Sequence, residues 1–295
     1  MKVSLCITTF NEEKTIIRLL DSLAKQTRKP DEIVIVDGGS SDNTVSKINE
    51  YTNKRINKLD IGFKIIQSKK RISIARGRNL AIQNARYPII AMTDGGCVCE
   101  KKWLERICTD TDVTAGFYTM TGETDFQVAL KPFLGVMPDR FDENTFLPST
   151  RSIAFKKSVW KKVGGFNEKL DKAGEDTEFN LQLSIHNFQI KRARNALVNW
   201  EVPDNLISAC KKFFYYARGD AQGGNLLSRH NVHTLSIFVR YFIFIFFWPI
   251  FIVYLFWAVY KHRKYTKNWR QRIYTVIIQL TSDISVMAGF IYGIF

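Results

Sequence analysis

The sequence predicts an α/β chain: a mostly parallel sheet with helices on both faces, followed by C-terminal transmembrane helical segments. Two observations carry that expectation. From Met1 to about Ala129, short β-branched apolar runs alternate with segments of helical spacing, and strand, helix, strand repetition implies a parallel sheet covered on both sides. Beyond Leu235 the composition changes, and Tyr241 to Tyr260 (YFIFIFFWPIFIVYLFWAVY) runs twenty residues without a charge. At about 1.5 Å per residue such a helix matches a hydrocarbon thickness of roughly 30 Å.

Taken in order, the strand-like runs are KVSLCITTF, EIVIVDG, FKIIQS and YPIIAMTD. Ile16, Leu20 and Leu23 give the first intervening helix its apolar stripe. In open α/β sheets ligands bind beyond the carboxyl ends of the strands. The polar residues gather there: Thr8, Thr9, Asn11 and Glu12 after the first run, Asp37 to Asp42 after the second, and Asp94 after the fourth. Residues 130–205 read as irregular, with turns at Pro132, Pro138, Pro148, Gly164, Gly165 and Gly174. A helix is expected near Glu175, its first turn acidic as the helix dipole prefers. CKKFFYYARGDAQGG, residues 210–224, interleaves basic and aromatic residues ahead of the apolar tail and reads as an interfacial helix.

In the last segment, Ile273 to Phe295, Asp283 is expected to face protein or water. If both hydrophobic segments span, the basic stretch KHRKYTKNWRQR between them falls on the far side of the membrane from the preceding domain, against the positive-inside tendency. A re-entrant hairpin kinked at Pro249 avoids that conflict.

The chain of 295 residues carries a formal charge of +15. Such an excess attracts polyanions, whether nucleic acid, anionic lipid or a nucleotide diphosphate. Because the basic stretch at 261–272 lies between apolar segments, it points to a membrane surface and not to nucleic acid. The five cysteines are odd in number and scattered, and read as reduced packing residues; Cys97 and Cys99 lack a second pair that would complete a zinc set. MKVSLCITTF turns polar too early for a secretory signal.

Four stretches are more specific in combination: ITTFNEE at 7–13, EIVIVDGGSSDNT at 32–44, ARGRNLAIQNA at 75–85 and GGFNEKLDKAGEDTEF at 164–179. Their order and spacing resemble family 2 glycosyltransferases of the GT-A fold, over roughly Met1 to Gly224. The resemblance implies a glycosyltransferase domain over 1–230, with a nucleotide-sugar half at 1–129, an acceptor half at 130–205 and an interfacial segment at 206–230. Residues 231–295 follow as a membrane anchor with hydrophobic segments at about 235–260 and 273–295.

The same resemblance implies a nucleotide-diphospho-sugar donor and transfer with inversion. By position, Thr8, Phe10 and Glu12 would line the nucleotide pocket, Asp37 would hold the base, and Arg76 would lie near the nucleotide or its phosphates, with Arg71 and Arg78 equally placed. Asp94 matches the first acid of the family's D-x-D, near ribose and metal. Glu175 and Asp176 match its E-D pair, Asp176 as the base and Glu175 as its orienting neighbour. The chain departs from the pattern twice: Gly96 stands where the second acid belongs, and Trp200 where many relatives carry a histidine. A divalent cation, Mg²⁺ or Mn²⁺, is therefore expected to be weakly held, on Asp94 alone. Arg151, Lys211, Lys212 and Arg218 are the candidates to neutralise the leaving diphosphate.

The expected acceptor is a hydroxyl on a lipid-linked or membrane-presented glycan, because a phosphate acceptor needs no base. Binding of nucleic acid is not expected. The site is placed at the cytoplasmic face of the cell membrane. The rival readings are a polyprenyl-phosphate sugar synthase and a membrane-tethered sugar-nucleotide binder without catalysis.

Overall fold

The computed structural model of the chain describes residues 1–55, 61–170, 172–223 and 229–295. Two compact units interleave along it. The first holds Met1–Thr119, Phe141–Asp171 and Glu175–Trp200; the second holds Met120–Arg140, Lys172–Gly174 and Glu201–Phe295.

The first unit opens with β1 (Val3–Thr9), α1 (Ile16–Ala24), β2 (Glu32–Asp37), α2 (Thr44–Lys54), β3 (Gly62–Gln67), α3 (Ile74–Asn84) and β4 (Ile89–Asp94). The three strands β1, β2 and β4 are buried almost throughout, as their unbroken apolar runs require of central parallel strands. Then come β5 (Cys97–Cys99), α4 (Trp103–Ile107), β6 (Val113–Thr121), β7 (Ile153–Lys156), α6 (Lys157–Lys162), α7 (Glu175–Ile185) and β8 (Ile190–Glu201). The sheet has eight strands in the order β3-β2-β1-β4-β7-β6-β8-β5.

Only half of this sheet has the expected parallel character. The pairs β1–β2, β1–β4 and β2–β3 are parallel, whereas β4–β7, β6–β7 and β5–β8 are antiparallel. The region read as irregular therefore contributes two strands. In β8 the buried alternation at Ala196, Val198 and Trp200 is preceded by the charged run KRAR, which hides the period of two. Because β2 and β4 flank β1 on opposite sides, the chain order reverses at β1, the place where such sheets open a ligand crevice. Register puts Thr9 beside Asp37 and Thr8 beside Asp94 at those strand ends.

In the second unit, α5 (Asp125–Leu134) is followed by α8 (Leu206–Gln222), α9 (Arg229–Phe246), α10 (Trp248–His262) and α11 (Trp269–Ile294). The predicted interfacial segment is thus helical to Gln222, and its residues 224–228 lie outside the described residues. Helix α8 packs along α11. A Cβ on Gly289 would fall 2.2 Å from the Phe214 carbonyl oxygen, and one on Gly293 2.5 Å from that of Arg218, so small residues let the backbones touch.

Tyr241 to Tyr260 is not one crossing helix, which corrects the first of the two expected spans. The helix breaks at Phe247 (φ −132°, ψ 65°), and α10 restarts with Pro249 in its first turn, where a missing N–H is tolerated. Among the described residues α11 is the helix long and apolar enough to cross a membrane. Asp283 on α11 is buried as expected: Gln279 Nε2 donates to it at 3.0 Å, and the Tyr254 and Tyr241 hydroxyls donate at 2.5 and 3.2 Å. The basic stretch is tied to the 120–140 segment, with Lys264 Nζ and Tyr265 Oη donating to Asp139, and Asn268 and Gln271 donating to Asp125.

Candidate active site

The four sequence stretches become two interlocked pairs. In the first pair, the loops after β1 and β2 are sewn together. Glu12 N donates to Thr44 Oγ1 at 2.8 Å, Ser41 N to Asn11 Oδ1 at 2.9 Å, and Asn43 N to Glu13 Oε2 at 3.1 Å. Asp37 is fully buried and organises its own loop, accepting from Gly39 N at 3.1 Å, Ser40 N at 3.0 Å, Ser40 Oγ and Thr9 Oγ1. Gly39 has φ +89°, and a Cβ there would sit 2.8 Å from the Lys70 carbonyl, so backbone shape and space both require glycine. The Arg71 guanidinium lies over the Phe10 ring at 4.2 Å.

The second pair joins α3 to the segment around α7. Asn79 Oδ1 accepts from Phe166 N at 2.9 Å and Trp160 Nε1 at 3.0 Å, while its Nδ2 donates to the Phe166 carbonyl at 2.8 Å. These bonds fix the Gly164-Gly165-Phe166 turn; Gly165 has φ +79°, and a Cβ on it would meet Asn79 Oδ1 at 2.9 Å.

One residue away, Arg78 reaches three carboxylates. Its Nη2 donates to Asp94 Oδ1 at 3.1 Å, and its Nη1 to Asp176 Oδ1 at 2.8 Å and to Glu175 Oε1. The side chains of Arg78 and Glu175 are 4% and 6% exposed, those of Asp94 and Asp176 each 28%. The site therefore has a dry side and a wet side, and the two wetter acids face ligands more readily.

Electrostatics follow from that placement. Burial alone would push Arg78 down, but Asp176, Glu175 and Asp94 outweigh it and hold the guanidinium above its ordinary value. Burial pushes the Glu175 carboxyl up, opposed by the charge of Arg78 and reinforced by that of Asp176. Arg78 Nε and Glu175 Oε2 are buried without a hydrogen-bond partner among the described residues.

Asp176 is further fixed by Thr150, whose N donates to Oδ2 at 3.1 Å and whose Oγ1 donates to Oδ1 at 3.0 Å. Asn180 Nδ2 holds the Pro148 carbonyl at 2.9 Å and so keeps this loop on α7. Ser149 Oγ bridges onward, 3.4 Å from Asp176 Oδ2 and 3.2 Å from Arg151 Nη1. Arg151 stacks 4.3 Å over the Trp200 ring and 5.1 Å over that of Tyr118. Trp200, standing at the histidine position, thus serves as a platform for a cation. It is held there by pairing with Cys97, whose thiol burial and the nearby Asp94 push up to about 12.

Gly96 shows where an acid could still come from. A Cβ on it would lie 3.4 and 3.5 Å from the two carboxylate oxygens of Glu12, so the space above Gly96 is filled by an acid from the loop after β1. Among the described residues no three histidine, cysteine or acidic side chains are grouped as a metal site. Glu12 and Asp94 are the two carboxylates to which a cation at this strand end could turn, which suits an ion that also takes oxygens from a diphosphate.

Of the expected residues, Asp94, Glu175, Asp176 and Arg151 come together, and Thr8, Glu12 and Asp37 stand at the adjoining strand ends. Arg76 does not join the acids: it is exposed, and Arg78 takes that place. Spacing could have separated them, since α3 buries positions 75, 78, 79 and 82 and leaves 76 outside. Arg218 belongs to the second unit, with its guanidinium 5.1 Å over Tyr292; Lys212 there lies 5.7 Å over Tyr216, and Lys211 is exposed. All five cysteines are free thiols and four are buried, as their packing role requires.

A family model described as glycosyl transferase family 2 matches residues 4–120, and one described as glycosyl transferase family group 2 matches residues 115–292. Poly(ribitol-phosphate) beta-N-acetylglucosaminyltransferase TarS of Staphylococcus aureus is 32% identical over 108 residues, 36% of this chain and 18% of that protein. Chondroitin synthase of Pasteurella multocida is 24% identical over 223 residues, 61% of this chain and 23% of that one. The chain spans less than a third of the length of these curated relatives. Among solved structures, residues 1–349 of S. aureus TarS in complex with UDP align with TM-score 0.53 and 22% identity, covering 80% of this chain and 75% of that one. A mannosyltransferase of Pyrobaculum calidifontis with GDP-Man and Mn²⁺ aligns with TM-score 0.56 and 17% identity, covering 75% and 62%. These likenesses show the fold.

Proposed function

The chain belongs to glycosyltransferase family 2, and from that premise we propose that it transfers a sugar, with inversion, from a nucleotide-diphospho-sugar to a hydroxyl of a membrane-presented or lipid-linked glycan. The observation that carries this is the convergence of Asp94, at the end of a central parallel strand, and Asp176, at the start of α7, on one buried arginine. A donor held at the strand ends and a base at the helix start are then neighbours.

Asp176 removes the acceptor proton. Thr150 and Arg78 hold its carboxylate in one orientation, and Glu175 fixes the arginine from behind. The need for that base favours a hydroxyl acceptor over a phosphate, which is already anionic. Thr8, Phe10 and Glu12 line the nucleotide side, and Arg71 on Phe10 and the exposed Arg76 supply cations there. Asp37 shapes this pocket through Gly39 and Ser40, and is the acid that would hold the base. Arg151, clamped on Trp200, offsets charge on the leaving diphosphate. Asp94 and Glu12 would hold a divalent cation, whose contribution when bound is to stabilise the departing diphosphate.

Similar structures hold UDP, UDP-GlcNAc and GDP-Man, which supports a uridine or guanosine diphosphate donor. A thermal-shift panel of UDP-, GDP- and dTDP-sugars, with Mn²⁺ or with excess chelator, tests the reading. One donor class should stabilise the protein by about 2.7 kcal/mol at a hundredfold excess over Kd. No shift with any donor, together with no transfer or donor hydrolysis in detergent, would refute it.

Membrane attachment through the second unit is part of the proposal. Helix α10 has 15 residues, or about 22 Å, too short for a hydrocarbon core of roughly 30 Å. Around the α9–α10 break Phe242, Ile245, Phe246, Phe247, Trp248, Val253 and Phe256 are exposed. A re-entrant hairpin that dips into the bilayer and returns accounts for this surface. It also keeps the 261–272 stretch on the side of residues 125–139, to which it is hydrogen-bonded, at the cytoplasmic face.

A further inference from the structure

An open groove of about 420 Å³ lies at the start of β8, lined by Arg106, Glu143, Lys191, Arg192, Ala193, Arg194 and Asn195. Four cations face one carboxylate, in a volume comparable to small-ligand sites. We propose that this groove is a second binding site, one that takes an anionic chain carrying phosphate or carboxylate groups at intervals.

Two of the guanidiniums are held by the main chain. Arg192 Nε donates to the Phe146 carbonyl at 2.8 Å and its Nη1 to that of Ile190 at 3.3 Å; Arg106 Nη1 donates to the Asn195 carbonyl at 2.7 Å. A guanidinium has five donors in a rigid fork, so each is oriented and keeps donors beyond those bonds. Arg194 lies 5.7 Å from the Phe141 ring centroid, and Lys191 is exposed.

Charged side chains also blunt a bare strand edge against pairing, and β5 covers β8 only at 198–200. That purpose needs neither one sign of charge nor arginines anchored around a concavity. Side chains alternate along a strand, so Arg192 and Arg194 share a face about 7 Å apart, more than a single phosphate spans, and the ligand's charges repeat. Arg194 is six residues from Trp200, about 20 Å along β8. A polymeric acceptor whose end lies at Asp176 has later units that reach this groove. That the occupant is the acceptor rests on the transferase reading; that the groove binds a polyanion does not.

The test uses the full chain in detergent and fluorescent long-chain inorganic polyphosphate, read by anisotropy across a salt series. The groove variant carries Lys191→Glu and Arg194→Glu. A control variant with the same net charge carries Lys25→Glu and Lys161→Glu, both at exposed positions. The groove variant should bind about tenfold more weakly than the control, with a salt slope lower by roughly one per lost contact. Its thermal shift with the donor sugar should equal that of the wild type. Equal loss in both variants would overturn the site in favour of diffuse charge. Undiminished polyphosphate binding with selective loss of phosphatidylglycerol-vesicle binding would assign the patch to a membrane instead. Groove-dependent binding in a protein that shows neither a donor shift nor transfer or donor hydrolysis would sink the transferase reading and leave the site standing.

Discussion

Replacing Arg78 by methionine removes the one cation that three acids share. Arg78 and Glu175 are buried, so the substitution strands a carboxylate that has little water to turn to. Breaking a buried ion pair from one side destabilises by about 3–5 kcal/mol. The three charge-assisted bonds at Arg78, at about 1.5–3 kcal/mol each, sum to a range that overlaps the top of that figure and extends above it. For a unit of this size each kcal/mol moves Tm by roughly 2–4 °C, so a fall of roughly 6–20 °C is expected in thermal unfolding. Arg78→Lys should recover part of the stability but not the transfer rate, since an ammonium is a point charge and cannot fork between Nη1 and Nη2 partners. Combining Arg78→Met with Glu175→Gln should destabilise by less than the sum of the two, because the stranded charge goes with its partner. A Tm within about 3 °C of wild type for Arg78→Met, with turnover intact, would show that the acids are held by something else.

Asp176→Asn should lower kcat by about 10²–10⁴ while leaving the donor-induced thermal shift in place, because only the proton acceptor is lost; an unchanged kcat would remove Asp176 from the reaction. Burial holds the Glu175 carboxyl above its ordinary value in the folded chain. As pH rises through the ordinary glutamate range the unfolded chain therefore releases this proton first, and wild-type stability should fall relative to Glu175→Gln until the folded carboxyl has also ionised. A Tm difference between the two that does not change with pH would contradict the raised carboxyl. Gly39→Ala places a Cβ 2.8 Å from the Lys70 carbonyl at φ +89° and should destabilise by more than about 1 kcal/mol in denaturant unfolding.

The central strands could be read from sequence because burial on both faces leaves unbroken β-branched runs, as in EIVIVD and IIAMTD. Strands β7 and β8 were missed for the opposite reason. IAFK is too short to show a period, and the cations of KRAR occupy the positions where β8 would otherwise alternate. Asp94, Glu175 and Asp176 were found by matching motifs, and the structure adds why those motifs travel together: Arg78 and Asn79 on one helix fasten the acids and the Gly165 turn at once. The identity of that arginine was lost because all three candidates fall within eight residues, and only the 3.6-residue period tells inside from outside. The break beside Pro249 was one of two readings open in the sequence, since a proline inside an uncharged run invites a kink, but composition alone did not choose it over a full span.

Glu12 and Gly96 are 84 positions apart, yet the acid of one fills the volume vacated by the other. Column-by-column comparison would score this chain as deficient at 96 and take no notice of residue 12. Where a function is performed by a charge in a place, its ownership can pass between loops without the chemistry changing hands. Chains that look incomplete in alignment are better judged by which side chain can reach the gap than by which letter stands in it.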